Sequence, residues 1–289
     1  MRDSYKRWGF LIFLSLIWGS SFILMKRGLE SFSPIQVGAL RVAIASSTLL
    51  IVGFKHLKLI NKNNFWHLFF AGLSGNFLPA FLFTIAETEL DSGITGILNS
   101  LVPIFTVILG IYIFKIKVRT AQVIGILIGL TGTMILILKG AEINTNSNFY
   151  YSLFVIAAAV SYAINSNLIK KYLNKEKALA ITVSAFSIFL IPSLIILAFT
   201  GFFGQYRFEA QQNMSMLYIA ILAVIGTAMS VAIFNKLIQI SSPVFATSVT
   251  YLIPIVAIFW AIFDGETLHW IQITGTLIIL SGVYLVNRK

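Results

Sequence analysis

Ser92–Val107 reads SGITGILNSLVPIFTV, and after a short basic loop at Lys115, Lys117 and Arg119 the chain continues from Gln122 as QVIGILIGLTGTMIL. Near the other end the pattern returns. Pro243–Ile258 reads PVFATSVTYLIPIVAI, and from Gln272 the chain runs QITGTLIILSGVYLV. Pro103 matches Pro254, Gly75 matches Gly226 and Phe83 matches Phe234, all at an offset of 151. Gln122, Gly125 and Gly132 match Gln272, Gly275 and Gly282 at an offset of 150. Coincident Pro and Gly positions mark special backbone geometry rather than general apolarity. The chain reads as an internal duplication, with one half over 1–143 and the other over 144–289.

Composition names the solvent. Hydrophobic residues make up 58% of the 289 positions and charged residues only 11%, where a soluble domain carries about 25%. A surface so poor in charge is expected to face lipid. There is no cysteine, which excludes disulfides and thiolate metal sites. The net charge of +11 does not argue for nucleic acid, because the basic residues sit in short loops between apolar runs. Arg2, Lys6 and Arg7 precede an apolar run from Trp8 to Met25. That run lacks a small-residue cleavage site and is followed by others like it, so it reads as a first membrane helix rather than a signal peptide.

A spanning helix needs about 20 mainly apolar residues. Ten stretches qualify: 8–26, 34–54, 65–86, 92–114, 120–138, 149–169, 178–199, 214–236, 243–263 and 269–286. Thr200–Asn213 reads as a polar connector, and Asn144–Asn148 (NTNSN) as the hinge between halves. Sixteen of the Lys and Arg residues fall on the side that would hold both termini and four on the other, with Arg41 inside a span. The positive-inside rule then puts both termini in the cytoplasm. Five spans per half is odd, so the second half would enter from the opposite face. The fold expected is all-α and integral to the membrane, ten transmembrane helices as two inverted five-helix repeats. Such repeats are typical of secondary transporters, with a site at their interface.

The chain resembles the EamA-type branch of the drug/metabolite transporter superfamily. Trp18-Gly19-Ser20-Ser21-Phe22 followed by Lys26 is similar to the family's W-G-x-x-F pattern, and Arg41 in GALRVAIA to its L-R-x-x-x-A. Pro103 and Pro254 carry the proline motif, Gly265-Glu266 the closing G-E, and the fifth and tenth stretches the Q-x-x-G…G ending. The resemblance covers essentially the whole chain. Two departures stand out: Lys115-Ile116-Lys117 where the first repeat would show G-E, and Tyr162-Ala163 where many relatives have W-A. The resemblance implies a ten-helix carrier working by alternating access. Its central cavity would be lined by helices one, three, four, six, eight and nine, with five and ten peripheral.

Polar groups in hydrocarbon are costly unless paired or facing water, so each is a candidate. Asn99 sits one turn before Pro103, and Thr250 one turn before Pro254 beside Tyr251. Each proline frees a carbonyl nearby, so Asn99 and Thr250 either meet a solute or satisfy those carbonyls. Asn76 follows Gly75 as Thr227 follows Gly226; both pairs line a cavity or mark a close helix crossing. Ser161 and Asn165 share a helix face with Tyr162 beside them, and Trp18 holds the place of Tyr162 at an offset of 144. Trp and Tyr rings could stack a solute or pack the core. Substrate-binding candidates are therefore Trp18, Asn76, Asn99, Tyr162, Asn165, Thr227, Thr250 and Tyr251. For Arg41 a structural role is favoured over binding a carboxylate, with Glu87, Glu89 and Asp91 as partners for it or for Lys26 and Arg27.

All ten acids fall in loops or at span ends, which disfavours a buried-carboxylate proton mechanism. Gly125, Gly129 and Gly132 could drive dimerisation, or pack within the chain. No enzyme motif, metal cluster or cofactor-binding loop is present. The expectation is a cytoplasmic-membrane carrier, most plausibly an exporter, of a small organic metabolite. The lining of aromatics and amides without a central charge suits a zwitterionic or neutral solute, amino acids first. No cofactor is expected. The partners expected are a small-molecule substrate and the lipid bilayer but no nucleic acid, and the chain would be a monomer or homodimer. A channel-like pore and a non-transporting membrane scaffold remain the rivals.

Overall fold

The computed structural model describes residues 2–90, 92–140, 150–263 and 270–287. Among them the chain is all-helical. Six segments are long and apolar enough to cross a membrane: Tyr5–Leu29, Pro34–Leu59, Phe65–Ala86, Tyr150–Tyr172, Ala178–Phe199 and Ala210–Ile240. Four shorter apolar helices accompany them, at Val102–Tyr112, Thr120–Ile135, Pro243–Val256 and Ile273–Asn287. The protein is an integral membrane protein: helices satisfy their own backbone polar groups, which hydrocarbon cannot do for them. Residues 144–148 (NTNSN), Asp91, residues 264–266, His269 and the last two residues lie outside the described residues.

Several spans are interrupted where the sequence reads as continuous. The first is α1 (Arg2–Gly19) and α2 (Ser21–Leu29), separated at Ser20; α3 (Pro34–Gly53) follows. The next is α4 (Phe65–Gly72) and α5 (Leu78–Ala86), joined by a π-helical turn over Leu73–Phe77. Then come α6 (Ser92–Asn99), α7 (Val102–Tyr112) and α8 (Thr120–Gly140). In the second half are α9 (Tyr150–Tyr172), α10 (Ala178–Phe199), a single turn α11 (Phe202–Gln205) and α12 (Ala210–Ile221). A second π-helical segment, Leu222–Met229, leads into α13 (Ser230–Ile240). Last are α14 (Pro243–Thr247), α15 (Val249–Phe263) and α16 (Trp270–Asn287). Thr200–Asn213 is thus not a plain connector. It holds α11, and α12 begins at Ala210 because Glu209 is extended and serves as its N-cap.

Local chemistry fixes the helix ends. Ser33 and Gln36 form a reciprocal capping box with Pro34 at the first helical position, satisfying donors that a helix start leaves open. The Gln36 amide also donates to Thr200 O and Gln205 Oε1, each at 3.2 Å, tying the start of α3 to the end of α10. Ser242 caps α14 by accepting from Phe245 N, and Gln122 Nε2 donates to the same hydroxyl at 3.0 Å. Lys170 Nζ donates to the carbonyls of Ile238, Gln239 and Ser241 where α13 ends, a cation at the negative end of a helix.

Equivalent spans of the two halves pack on one another: α3 on α10, the α6–α7 span on the α14–α15 span, and α8 on α16. The α8–α16 contact is the most extensive. A Cβ on Gly282 would lie 2.6 Å from Gly125 O, and one on Gly132 2.8 Å from Ile279 N. The small-residue stripe is therefore consumed inside the chain, because only glycine lets the two backbones approach this far. The helices α1 and α9 instead cross over: α1 packs on α13 and α15, and α9 on α5 and α7.

Candidate functional site

The crossing helices leave a cavity between them, with about 850 Å³ of empty space when its open mouth is included. Its walls come from both halves. Asn99 and Val102 contribute from either side of the α6–α7 break, Thr247, Val249 and Thr250 from the α14–α15 break, and Gly75 and Asn76 from the first π turn. A π turn shifts the hydrogen-bond register by one residue and is frequent at functional sites. Both lie at matched positions, one carrying Gly75-Asn76 and the other Gly226-Thr227.

The cavity has two aromatic corners. The Trp18 ring meets Phe234 edge-on, with centroids 5.2 Å apart. Tyr162 stacks on Phe83 at 5.9 Å. Phe83 and Phe234 are partners at offset 151, and Trp18 and Tyr162 at offset 144. Beneath each corner a glycine admits a polar side chain from the crossing helix. A Cβ on Gly75 would lie 2.6 Å from the Asn165 amide, and one on Gly226 3.0 Å from Ser21 Oγ. Ser21 and Asn165 again differ by 144. The repeat register thus predicts side-chain contacts, not just helix positions.

Six of the eight candidates line this cavity: Trp18, Asn76, Asn99, Tyr162, Asn165 and Thr250. The Trp18 indole N–H also donates to Gly226 O at 2.9 Å. Thr250 Oγ1 donates to Thr247 O at 3.0 Å. Tyr251 is placed elsewhere. It is fully buried, its ring lies against Gly129, and its hydroxyl donates to Ile126 O at 3.0 Å. One residue further along a helix turns the side chain by about 100°, which takes Tyr251 away from Thr250 and into α8. Thr227 stands behind the wall, where its hydroxyl donates to Leu222 O and accepts from Arg41 Nε at 2.8 Å.

The sequence favours a structural role for Arg41 over binding a carboxylate. Arg41 lines the cavity, and its guanidinium interacts with the Tyr162 hydroxyl. The lining therefore does include a charge. The signal available was the depth of Arg41 within its helix, too far in for easy escape to the interface. Of the acids proposed as partners for Arg41, Lys26 or Arg27, Asp91 lies outside the described residues and Glu87 stands near Lys26. Arg27 pairs with Glu30 at 2.6 Å. Glu87 caps α5, where burial pushes its carboxyl up to about 8, opposed by the nearby Lys26 ammonium.

The model of the EamA-like transporter family matches this chain twice, over residues 7–138 and 149–288. The chain belongs to the EamA-like transporter family. As a member of it, the protein is a transporter and not an enzyme. It is 28% identical to the uncharacterized inner membrane transporter YedA of Escherichia coli K12, over 96% of this chain and 90% of that one. It is 25% identical to a probable amino-acid metabolite efflux pump of Salmonella typhimurium, over 96% and 93%. An uncharacterized transporter of Archaeoglobus fulgidus is 24% identical over 98% and 99%. A crystal structure of a protein 16% identical superposes on this EamA-like transporter with a TM-score of 0.73, covering 96% of this chain and 94% of the other. At that identity the likeness speaks for the fold.

Proposed function

We propose that this EamA-like transporter is a secondary carrier in the cytoplasmic membrane, moving a small organic metabolite outward by alternating access. It crosses the bilayer ten times as two inverted five-helix repeats, 1–143 and 144–289, with both termini in the cytoplasm. The observation that carries this reading is the cavity built from paired elements of both halves, Trp18–Phe234 on one side and Tyr162–Phe83 on the other. Near-equivalent halves give one chain two states of similar energy, open to either face. The basic-loop asymmetry supports the orientation, and the double match to the family model supports the repeat boundaries. Outward transport and amino-acid-like cargo draw on the name of the Salmonella relative, a probable amino-acid metabolite efflux pump.

Trp18, Asn76, Asn99, Tyr162, Asn165 and Thr250 are the solute contacts in this reading, while Thr227 and Tyr251 hold the frame. Purified protein in proteoliposomes loaded with a radiolabelled amino-acid mixture tests it. A carrier gives saturable efflux that speeds up with unlabelled solute on the opposite side. A pore gives flux that does not saturate, and a scaffold gives none.

A further inference from the structure

The cavity wall holds a cation with no counter-charge. Among the described residues no Asp or Glu lines it, and the salt bridge formed is Arg27–Glu30, not one to Arg41. The partners of Arg41 are both neutral: the Thr227 hydroxyl at 2.8 Å on Nε and the Tyr162 hydroxyl. A guanidinium stays charged in proteins, and a charge inside a membrane bundle is costly unless an anion or water offsets it. The Thr227 hydroxyl is itself fixed by donating to Leu222 O at 3.0 Å, so it anchors one edge of the planar fork. The remaining N–H donors of Arg41 are left to the cavity.

Another wall presents the opposite deficit. Asn99 is 6% exposed and lines the cavity, and its Oδ1 is buried without a hydrogen-bond partner. Pro103 has no N–H to give to the Asn99 carbonyl one turn back. A buried acceptor left unpaired is costly and is relieved by a donor-rich ligand group.

We propose that the cavity takes a zwitterionic amino acid, its carboxylate held by Arg41 beside Tyr162 and its ammonium received by Asn99. This deepens the carrier reading and rests on it. It separates amino acids from neutral nucleobases, which offer Arg41 no charge, and from cationic amphiphiles, which Arg41 repels. The aromatic corners hold the apolar side chain.

The test uses the purified full-length protein and three matched probes on each of alanine, leucine and phenylalanine: the amino acid, the carboxylic acid without the amine, and the amino-acid amide. Binding is read by calorimetry. For at least one side chain the amino acid binds, its amide binds roughly tenfold or more weakly, and Arg41→Gln abolishes that difference. Thr227→Val keeps the cation but loosens its orientation, and narrows the acid-to-amide ratio even where Arg41→Gln fails to fold. Asn99→Ala weakens the amino acid while sparing the amine-free acid. An amide that binds as well as its parent overturns the proposal, as does an unchanged ratio in both variants. If no probe binds while the proteoliposomes still show saturable flux of another solute, the charge assignment falls and the carrier reading stands. If flux is absent as well, both fall.

Discussion

The indole N–H of Trp18 donates to the carbonyl oxygen of Gly226 at 2.9 Å, joining the first transmembrane segment to the second π-helical one. The bond crosses from one half of the duplication to the other at the wall of the cavity. It fixes the ring that meets Phe234 and binds a carbonyl in backbone where the helix register changes. Trp18→Phe keeps most of the ring contact and removes the donor, so it is expected to cost about 1 kcal/mol. Trp18→Ala also removes the aromatic corner and is expected to cost about 3 kcal/mol or more. Thermal unfolding in detergent should rank the two variants in that order, with solute affinity lowered in both.

Tyr251 and Asn99 separate frame from site. Tyr251→Phe loses one buried hydrogen bond to Ile126 O, a cost of about 1–2 kcal/mol, and should leave transport KM unchanged. Asn99→Ala removes an amide whose oxygen has no partner in the fold. It should therefore cost little stability while raising KM at least severalfold. Equal effects of the two substitutions on KM would put Tyr251 in the site after all.

The α8–α16 contact tolerates no side chain at its crossing. A Cβ on Gly282 would lie 2.6 Å from both Gly125 O and Gly129 N, and backbone atoms cannot step aside as a side chain can. Gly282→Ala is expected to destabilise by several kcal/mol, beyond the usual 1–3 kcal/mol of overpacking. Gly204→Ala, where nothing lies within 4 Å, serves as the control and should unfold at the wild-type temperature.

Glu87 should make stability depend on pH. Its carboxyl is held at about 8 against an ordinary 4.5 because it is buried. The folded protein thus binds this proton more tightly than the unfolded chain does. The stability it contributes is full below about pH 4.5 and is lost as pH rises through about 8. The range cannot exceed about 5 kcal/mol, at about 1.4 kcal/mol per pKa unit. Glu87→Gln should match wild type near pH 4 and unfold at a higher temperature at pH 9. Parallel melting curves across that range would show the carboxyl to be solvated.

How far the sequence reached can be judged residue by residue. Its periodic apolar runs announced membrane helices, and the matched prolines and glycines announced the duplication. Trp18, Tyr162, Asn165 and Asn99, which the sequence singled out, line the cavity, since equivalent positions in a repeat meet equivalent surroundings. It failed at Tyr251, where the neighbouring Thr250 lines the cavity and a single helical step points the ring into Gly129 instead. It left Arg41 open, because a buried cation reads the same in sequence whether a carboxylate, a carbonyl or a cavity receives it.

By itself the sequence determined the solvent, the helical class and the family of this transporter, because lipid dictates composition and period along the whole chain. Which polar side chains face the cavity was decided only by tertiary structure. That depends on the crossing of α1 and α9, on the two π turns that rotate Asn76 and Thr227, and on the glycine contact that lets α8 approach α16. Those contacts join residues far apart in sequence, such as Trp18 and Gly226 or Gly125 and Gly282, and no local preference encodes which way a side chain turns when two helices meet.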